Sequence, residues 1–222
     1  MKYIHPILVI LFIIVISCNT KEKKETTKNN IKNTALKKEV STPDETLQQS
    51  ANNIGDIAPD FTLKNAVGKE INLKKSLKNG PVIITWYRGG WCPYCNKYLA
   101  QLQEALPAFK EQGATLLALT PELPDKSITT SEKHQLGFEI LSDIGNTVAK
   151  TYDIAYQLDV KTAEKYQNAF DLHAYNGDTS NELPYTATYV IGTDGIIKYA
   201  FLDTNYKKRA APEDIIDALK AL

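Results

Sequence analysis

A near-continuous apolar run, Pro81-Val82-Ile83-Ile84-Thr85-Trp86-Tyr87, passes through Arg88-Gly89-Gly90-Trp91 and delivers two cysteines, Cys92 and Cys95, at the start of an amphipathic pattern. The run reads as a β-strand covered on both faces. The pattern after it places Tyr98, Leu99, Leu102, Ala105, Leu106 and Phe109 on one helical face. Both thiols therefore sit at a helix N-terminus, where unpaired backbone N–H groups favour negative charge. A cysteine in that place ionises more easily, and the thiolate is the reactive form. Positions i and i+3 share a helix face, so the two sulfurs can close a small disulfide ring. Pro93 suits the first helical position because it has no N–H to leave unpaired. Gly89 and Gly90 permit turn conformations that a bulkier residue resists. Trp86, Trp91 and Tyr94 are expected to give the sulfurs flat apolar cover.

The rest of the chain narrows the chemistry. Lysine plus arginine and aspartate plus glutamate each number 26, so no charge excess points to nucleic acid. The third cysteine, Cys18, lies in the leader, so any intramolecular disulfide of the folded part joins Cys92 to Cys95. A zinc site usually needs four ligands. His134, His173 and the carboxylates show no spacing that completes one, so no metal is expected, and both histidines read as surface residues. No acid lies in the strand before the motif. Proton transfer must then use water, a tyrosine or a group distant in sequence.

The leader has its own logic. Ile7 to Ile16 is an unbroken apolar run of ten residues. About 20 are needed to span a bilayer, whereas ten is the length of a signal-peptide core. Val15-Ile16-Ser17-Cys18 resembles a bacterial lipobox, which implies a signal over 1–17, lipidation at Cys18 and a domain held outside the cytoplasm on the cell envelope. Residues 18–52 are rich in Lys, Glu, Thr and Asn and read as a disordered tether. Its lysines fit a plain spacer or a contact with anionic headgroups. Thr46 to Asn53 has room for a helical turn.

Residues 53–222 have the length of one domain. A hairpin is expected around Val67-Gly68-Lys69, joining Phe61–Leu63 to Glu70–Leu73. Further strands are expected at 114–120 and 139–141, and an antiparallel pair at 185–191 and 196–202 about Thr193-Asp194-Gly195. Helices are expected at 93–112, kinked at Pro107 and stopped by Gly113, and at 131–136, 146–152 and 212–222. The polar, tyrosine-rich stretch 153–183 yields only one candidate helix, near 162–170. This alternation specifies an α/β domain with a central mixed sheet flanked by helices and an N-terminal hairpin extension.

Trp91-Cys92-Pro93-Tyr94-Cys95 resembles the active site of thioredoxin-like proteins. Ile54-Gly55-Asp56-Ile57-Ala58-Pro59-Asp60-Phe61-Thr62-Leu63, and Leu183 to Ile191 followed by Asp194-Gly195, resemble the alkyl hydroperoxide reductase/thiol-specific antioxidant group, the peroxiredoxins. The resemblance covers about residues 53–222 and implies a thioredoxin-like fold and a redox-active Cys92–Cys95 disulfide. It implies a hydroperoxide substrate, a thioredoxin-like dithiol donor and no bound cofactor. The thioredoxin pattern makes Cys92 the attacking sulfur and Cys95 the resolving one. The peroxiredoxin pattern instead lays Arg88 on its proline, Cys92 on its threonine and Cys95 on its reactive cysteine. Tyr185 and Thr186 stand where the peroxiredoxins carry an arginine, which leaves Arg88 or Arg209 to supply a cation. Pro184 matches the cis-proline that faces the two cysteines in thioredoxin folds. Three functions fit these residues: a thiol peroxidase, a tethered thiol–disulfide oxidoreductase acting on envelope proteins, and a binding module with a structural disulfide.

Overall fold

Strand β3 (Val82–Trp86) is buried at every position and is an interior strand of a seven-stranded sheet. The computed structural model describes residues 51–222. The signal, Cys18 and nearly all of the expected tether, with its helical turn from Thr46, lie outside the described residues. Ala51 is buried in the core, although it falls inside the expected tether. Among the described residues no helix is long and apolar enough to cross a membrane.

The chain runs β1 (Thr62–Asn65), β2 (Glu70–Asn72), the short α1 (Leu73–Ser76), β3, α2 (Pro93–Glu111), β4 (Thr115–Thr120), α3 (Pro124–His134), β5 (Glu139–Ser142) and α4 (Thr147–Thr151). It continues through β6 (Ala155–Gln157), α5 (Val160–Phe170), α6 (Leu172–Asn176), β7 (Glu182–Pro184), β8 (Thr186–Ile191), β9 (Ile197–Asp203) and α7 (Pro212–Lys220). The sheet order is β2-β1-β5-β4-β3-β8-β9. β3, β4 and β5 are mutually parallel, and β8 and β9 close one side antiparallel. The expected hairpin forms and joins the other side through β1 on β5.

Side chains alternate across a strand, and β3 feeds two cores in that rhythm. Val82, Ile84 and Trp86 pack on one face with Leu117, Leu119 and Tyr189. Ile83 packs on the other with Tyr98, Leu102 and Phe109 of α2 and Ile215 and Leu219 of α7. Trp86 therefore stacks near Tyr152 and Tyr189, with centroids 5.0 and 6.0 Å away. It does not cover the sulfurs, because it lies on the opposite face from Tyr87.

Helix α2 is a single element that runs through Pro107. It ends as Gly113 (φ +70°) implies: Ala114 N–H donates to Phe109 O at 3.0 Å and Gly113 N–H to Lys110 O at 2.9 Å. Helix α3 starts at Pro124, seven residues before the expected start at Ser131. Its buried face is Ser127 and Thr130, so hydropathy carries no helical period there. The stretch 153–183 holds more than one helix. Besides α5 and α6 it builds a separate two-stranded antiparallel ladder, β6 on β7.

Candidate active site

Cys92 is the N-cap of α2, with extended backbone (φ −89°, ψ 111°), and its carbonyl accepts the first helical bond from Asn96 N–H at 3.0 Å. Its sulfur takes the capping place usually held by a side-chain oxygen and accepts the N–H of Cys95 at 3.3 Å. Both cysteines are free thiols and fully buried, at 0% exposure. They form one apolar cluster with Tyr87, Leu99, Ala118 and Ile140, against which Trp91 packs.

The loop that presents the thiols is fixed from two sides. Asn96 Nδ2 donates to Gly90 O at 2.8 Å, and Gly90 N–H donates to Glu122 Oε1 at 2.6 Å. Glu122 Oε2 accepts the Tyr87 hydroxyl at 2.9 Å. Glu122 is fully buried, and burial pushes its carboxyl pKa up against the opposing pull of Gly90 N–H and Tyr87. A Cβ at Gly90 would lie 2.1 Å from Thr130 Oγ1, so Gly90 serves close approach. Gly89 serves conformation, at φ +150°.

Each sulfur has its own guanidinium. Arg88 Nη2 lies 3.7 Å from Cys92 Sγ, and Arg209 Nη2 lies 3.3 Å from Cys95 Sγ. Arg88 is buried under aromatic rings. Its guanidinium carbon is 3.9 Å from the Tyr206 centroid and 5.1 Å from that of Trp91, and Nη1 donates to Tyr166 Oη at 3.3 Å. Trp91 stacks on Phe170 at 4.4 Å, so α5 forms one wall. Tyr94 meets Tyr206 edge-on at 5.7 Å.

The electrostatics divide the pair. The hydrogen bond from the Cys95 thiol, then the Arg88 charge and the Cys95 N–H, lower the Cys92 thiol to about 5 against the cost of burial. Burial, then the hydrogen bond to Cys92 and the Cys92 charge, push Cys95 up, with Arg209 opposing. Of the two thiols, Cys92 is thus the more acidic and Cys95 the one held protonated.

Sequence reasoning brings together Cys92, Cys95, Arg88 and Trp91, and the structure assembles all four. Pro184 is buried at the end of β7, directly before β8, the neighbour of β3. Arg209, one of two arginines left to supply a cation, reaches Cys95 and not Cys92. Tyr166, Tyr206 and Glu122 were not anticipated. Glu122 had a usable signal: it follows β4, a strand parallel to β3, and carboxyl ends of parallel strands share the edge where open α/β sheets bind ligands.

Comparison with known proteins follows this geometry. Residues 54–200 match the model of the AhpC/TSA family. The chain is 27% identical over 165 residues to a chloroplastic peroxiredoxin Q of Populus jackii, covering 74% of this chain and 65% of that protein. It is 26% identical over 163 residues to the Sedum lineare peroxiredoxin Q, covering 73% of each. The match thus spans just under two thirds of the Populus protein. Among solved structures, peroxidoxin BcpB from Mycobacterium tuberculosis superposes with a TM-score of 0.62 at 21% identity, over 76% of this chain and 97% of that one. Peroxiredoxin Q of Xanthomonas campestris gives 0.58 at 17% identity, over 78% and 98%. These identities speak for the fold, a thioredoxin-like mixed sheet. The family model covers the segment before β1, the cysteine loop, β8 and the first residues of β9, and the chain belongs to the AhpC/TSA family.

Proposed function

We propose that this protein is a thiol-dependent peroxidase that works through a Cys92–Cys95 cycle. One observation carries the reading: Cys92 caps a helix, accepts the Cys95 N–H and faces Arg88, and its thiol is lowered to about 5. At neutral pH it is a thiolate without any external base. The thiolate attacks the distal oxygen of a hydroperoxide. The O–O bond breaks, Cys92 becomes a sulfenic acid, and the alkoxide takes a proton from solvent water and leaves as the alcohol. Cys95 then attacks that sulfur, the S–O bond breaks, and hydroxide departs as water. Peroxide has gained two electrons and the dithiol has lost two. A thioredoxin-like dithiol donor restores the pair by exchange. The relatives named peroxiredoxin Q support this activity.

The burial of both sulfurs in the reduced protein suits a small oxidant. The lipobox-like Ser17-Cys18 supports tethering of the enzyme to the cell envelope. Incorporation of labelled palmitate that is lost in Cys18→Ala tests that part. Stopped-flow consumption of hydrogen peroxide by the reduced protein tests the activity. The expected rate exceeds that of free cysteine by orders of magnitude, and a rate equal to free cysteine removes the proposal.

A further inference from the structure

We propose that Arg209 is a catalytic residue of the second half of the cycle, holding Cys95 as the resolving thiolate once Cys92 carries oxygen. The inference rests on the cycle proposed above and assigns a group to its second step. Arg209 lies 114 residues from Cys95 in sequence, yet its Nη2 approaches the sulfur to 3.3 Å. The loop between β9 and α7 delivers it already oriented. Arg209 Nη1 donates to Tyr206 O and, at 2.7 Å, to Lys208 O. Its guanidinium carbon stands 5.7 Å from the Tyr98 ring centroid. The loop is held in turn by Tyr206 against Arg88 and by Lys207, whose Nζ is 5.5 Å from the Tyr94 ring. Arg209 Nε is buried without a hydrogen-bond partner.

The charged and titratable groups facing Cys95 are few. Cys92 stands at the opening of its own helix and Arg209 comes from the β9–α7 loop, while Arg88 contributes only a backbone hydrogen bond and Tyr98 lies under Arg209. In the reduced enzyme the Cys92 thiolate opposes ionisation of Cys95 and outweighs Arg209. Oxidation of Cys92 to a neutral sulfenic acid removes that opposing charge while Arg209 stays. The balance at Cys95 then moves toward thiolate. Cys95 loses its proton and attacks the Cys92 sulfur, an S–S bond replaces the S–O bond, and the hydroxide takes up the proton as water. The two arginines thus enforce an order: Arg88 primes the attacking sulfur, and Arg209 primes the resolving one after the first has reacted.

Two readouts test this. In a Cys92→Ser background, where no thiolate opposes Cys95, the pH dependence of Cys95 alkylation is followed by mass spectrometry with and without Arg209→Gln. The substitution is expected to move the midpoint up by about one pH unit or more, which is about tenfold in ionisation, and Arg209→Lys to recover part of it. In the otherwise native chain treated with one equivalent of hydrogen peroxide, Arg209→Gln is expected to slow disulfide closure more than it slows sulfenate formation. Dimedone then traps the sulfenate, and closure recovers as pH rises. An unmoved alkylation midpoint, or closure as fast as in the native chain, overturns the assignment. So does an equal slowing of both phases with no change in pH profile. Absence of any sulfenate in the native chain removes the peroxidase cycle itself, and this result is distinct from an unmoved midpoint.

Discussion

Glu122, fully buried at the end of β4, accepts the Gly90 N–H at 2.6 Å and so ties the loop that carries the thiols to the neighbouring parallel strand. Its other oxygen holds the Tyr87 hydroxyl. Glu122→Ala strands both donors, at a cost on the order of 1–3 kcal/mol for each. Glu122→Gln keeps an acceptor for Gly90 and loses the charge. Because burial raises the Glu122 carboxyl pKa in the fold, its contribution to stability is full below the unfolded carboxylate value and is lost as pH rises through the folded one. Urea unfolding is expected to find Glu122→Ala clearly destabilised, and Glu122→Gln gaining on the native chain as pH rises.

After the hydrogen bond from Cys95, the Arg88 charge at 3.7 Å is the next group that lowers the Cys92 thiol. Arg88→Gln removes the charge and is expected to raise the midpoint of Cys92 alkylation. Peroxide consumption at pH 6 then falls about twofold for a rise of one pH unit and about tenfold for a rise of two, and it recovers at alkaline pH. Arg88→Lys keeps the charge but not the flat fork lying on Tyr206 and Trp91, so it restores only part of the rate. An unchanged pH profile in Arg88→Gln refutes this role.

Gly90 is fixed by space and not by dihedral preference. Gly90→Ala drives its Cβ into Thr130 Oγ1. Overpacking of this kind costs about 1–3 kcal/mol. Removing the obstacle in Gly90→Ala/Thr130→Ala is expected to return part of that stability and part of the peroxide rate. Denaturant midpoints of the two single variants and the double variant check the coupling.

The lowered Cys92 thiol makes stability of the reduced protein pH-dependent. Its folded pKa of about 5 lies below the ordinary thiol value. Between these values the unfolded chain binds the proton and the folded chain does not, so stability rises with pH across that window. The contribution is complete above the unfolded thiol value and is lost as pH falls through about 5. The raised Cys95 acts only at higher pH, with the opposite sign. Cys92→Ser is expected to flatten the rise between pH 5 and 8. For the same reason the reduced protein is expected to melt above the disulfide form at pH 7. The reverse order contradicts the lowered thiol.

What could be read from the sequence was what short-range pattern carries. The Pro81–Tyr87 run, the helix opening at Pro93 and the Thr193-Asp194-Gly195 turn signal themselves within a few residues, and they place Cys92 and Cys95 correctly. Helix α3 hides its first turns because Ser127 and Thr130 form its buried face. The β6–β7 ladder hides because three-residue strands have no measurable period, and their partners lie across two helices. Trp86 was assigned to the sulfurs by proximity in sequence, whereas strand alternation sends it to the other core. Tyr206 reaches the site only through long-range closure, which no local pattern announces, and Glu122 was signalled only by its place after a strand parallel to β3. Arg209 could be named as a spare cation, but which sulfur it meets depends on the path of the β9–α7 loop.

The central claim is that Cys92, and not Cys95, meets the oxidant. The direct test treats the reduced Cys95→Ser and Cys92→Ser variants with one equivalent of hydrogen peroxide in the presence of dimedone and locates the adduct by mass spectrometry. The account predicts rapid labelling of Cys92 in Cys95→Ser, slow or absent labelling of Cys95 in Cys92→Ser, and an intramolecular disulfide in the native chain. Labelling of Cys95 in Cys92→Ser as fast as that of Cys92 in Cys95→Ser contradicts it.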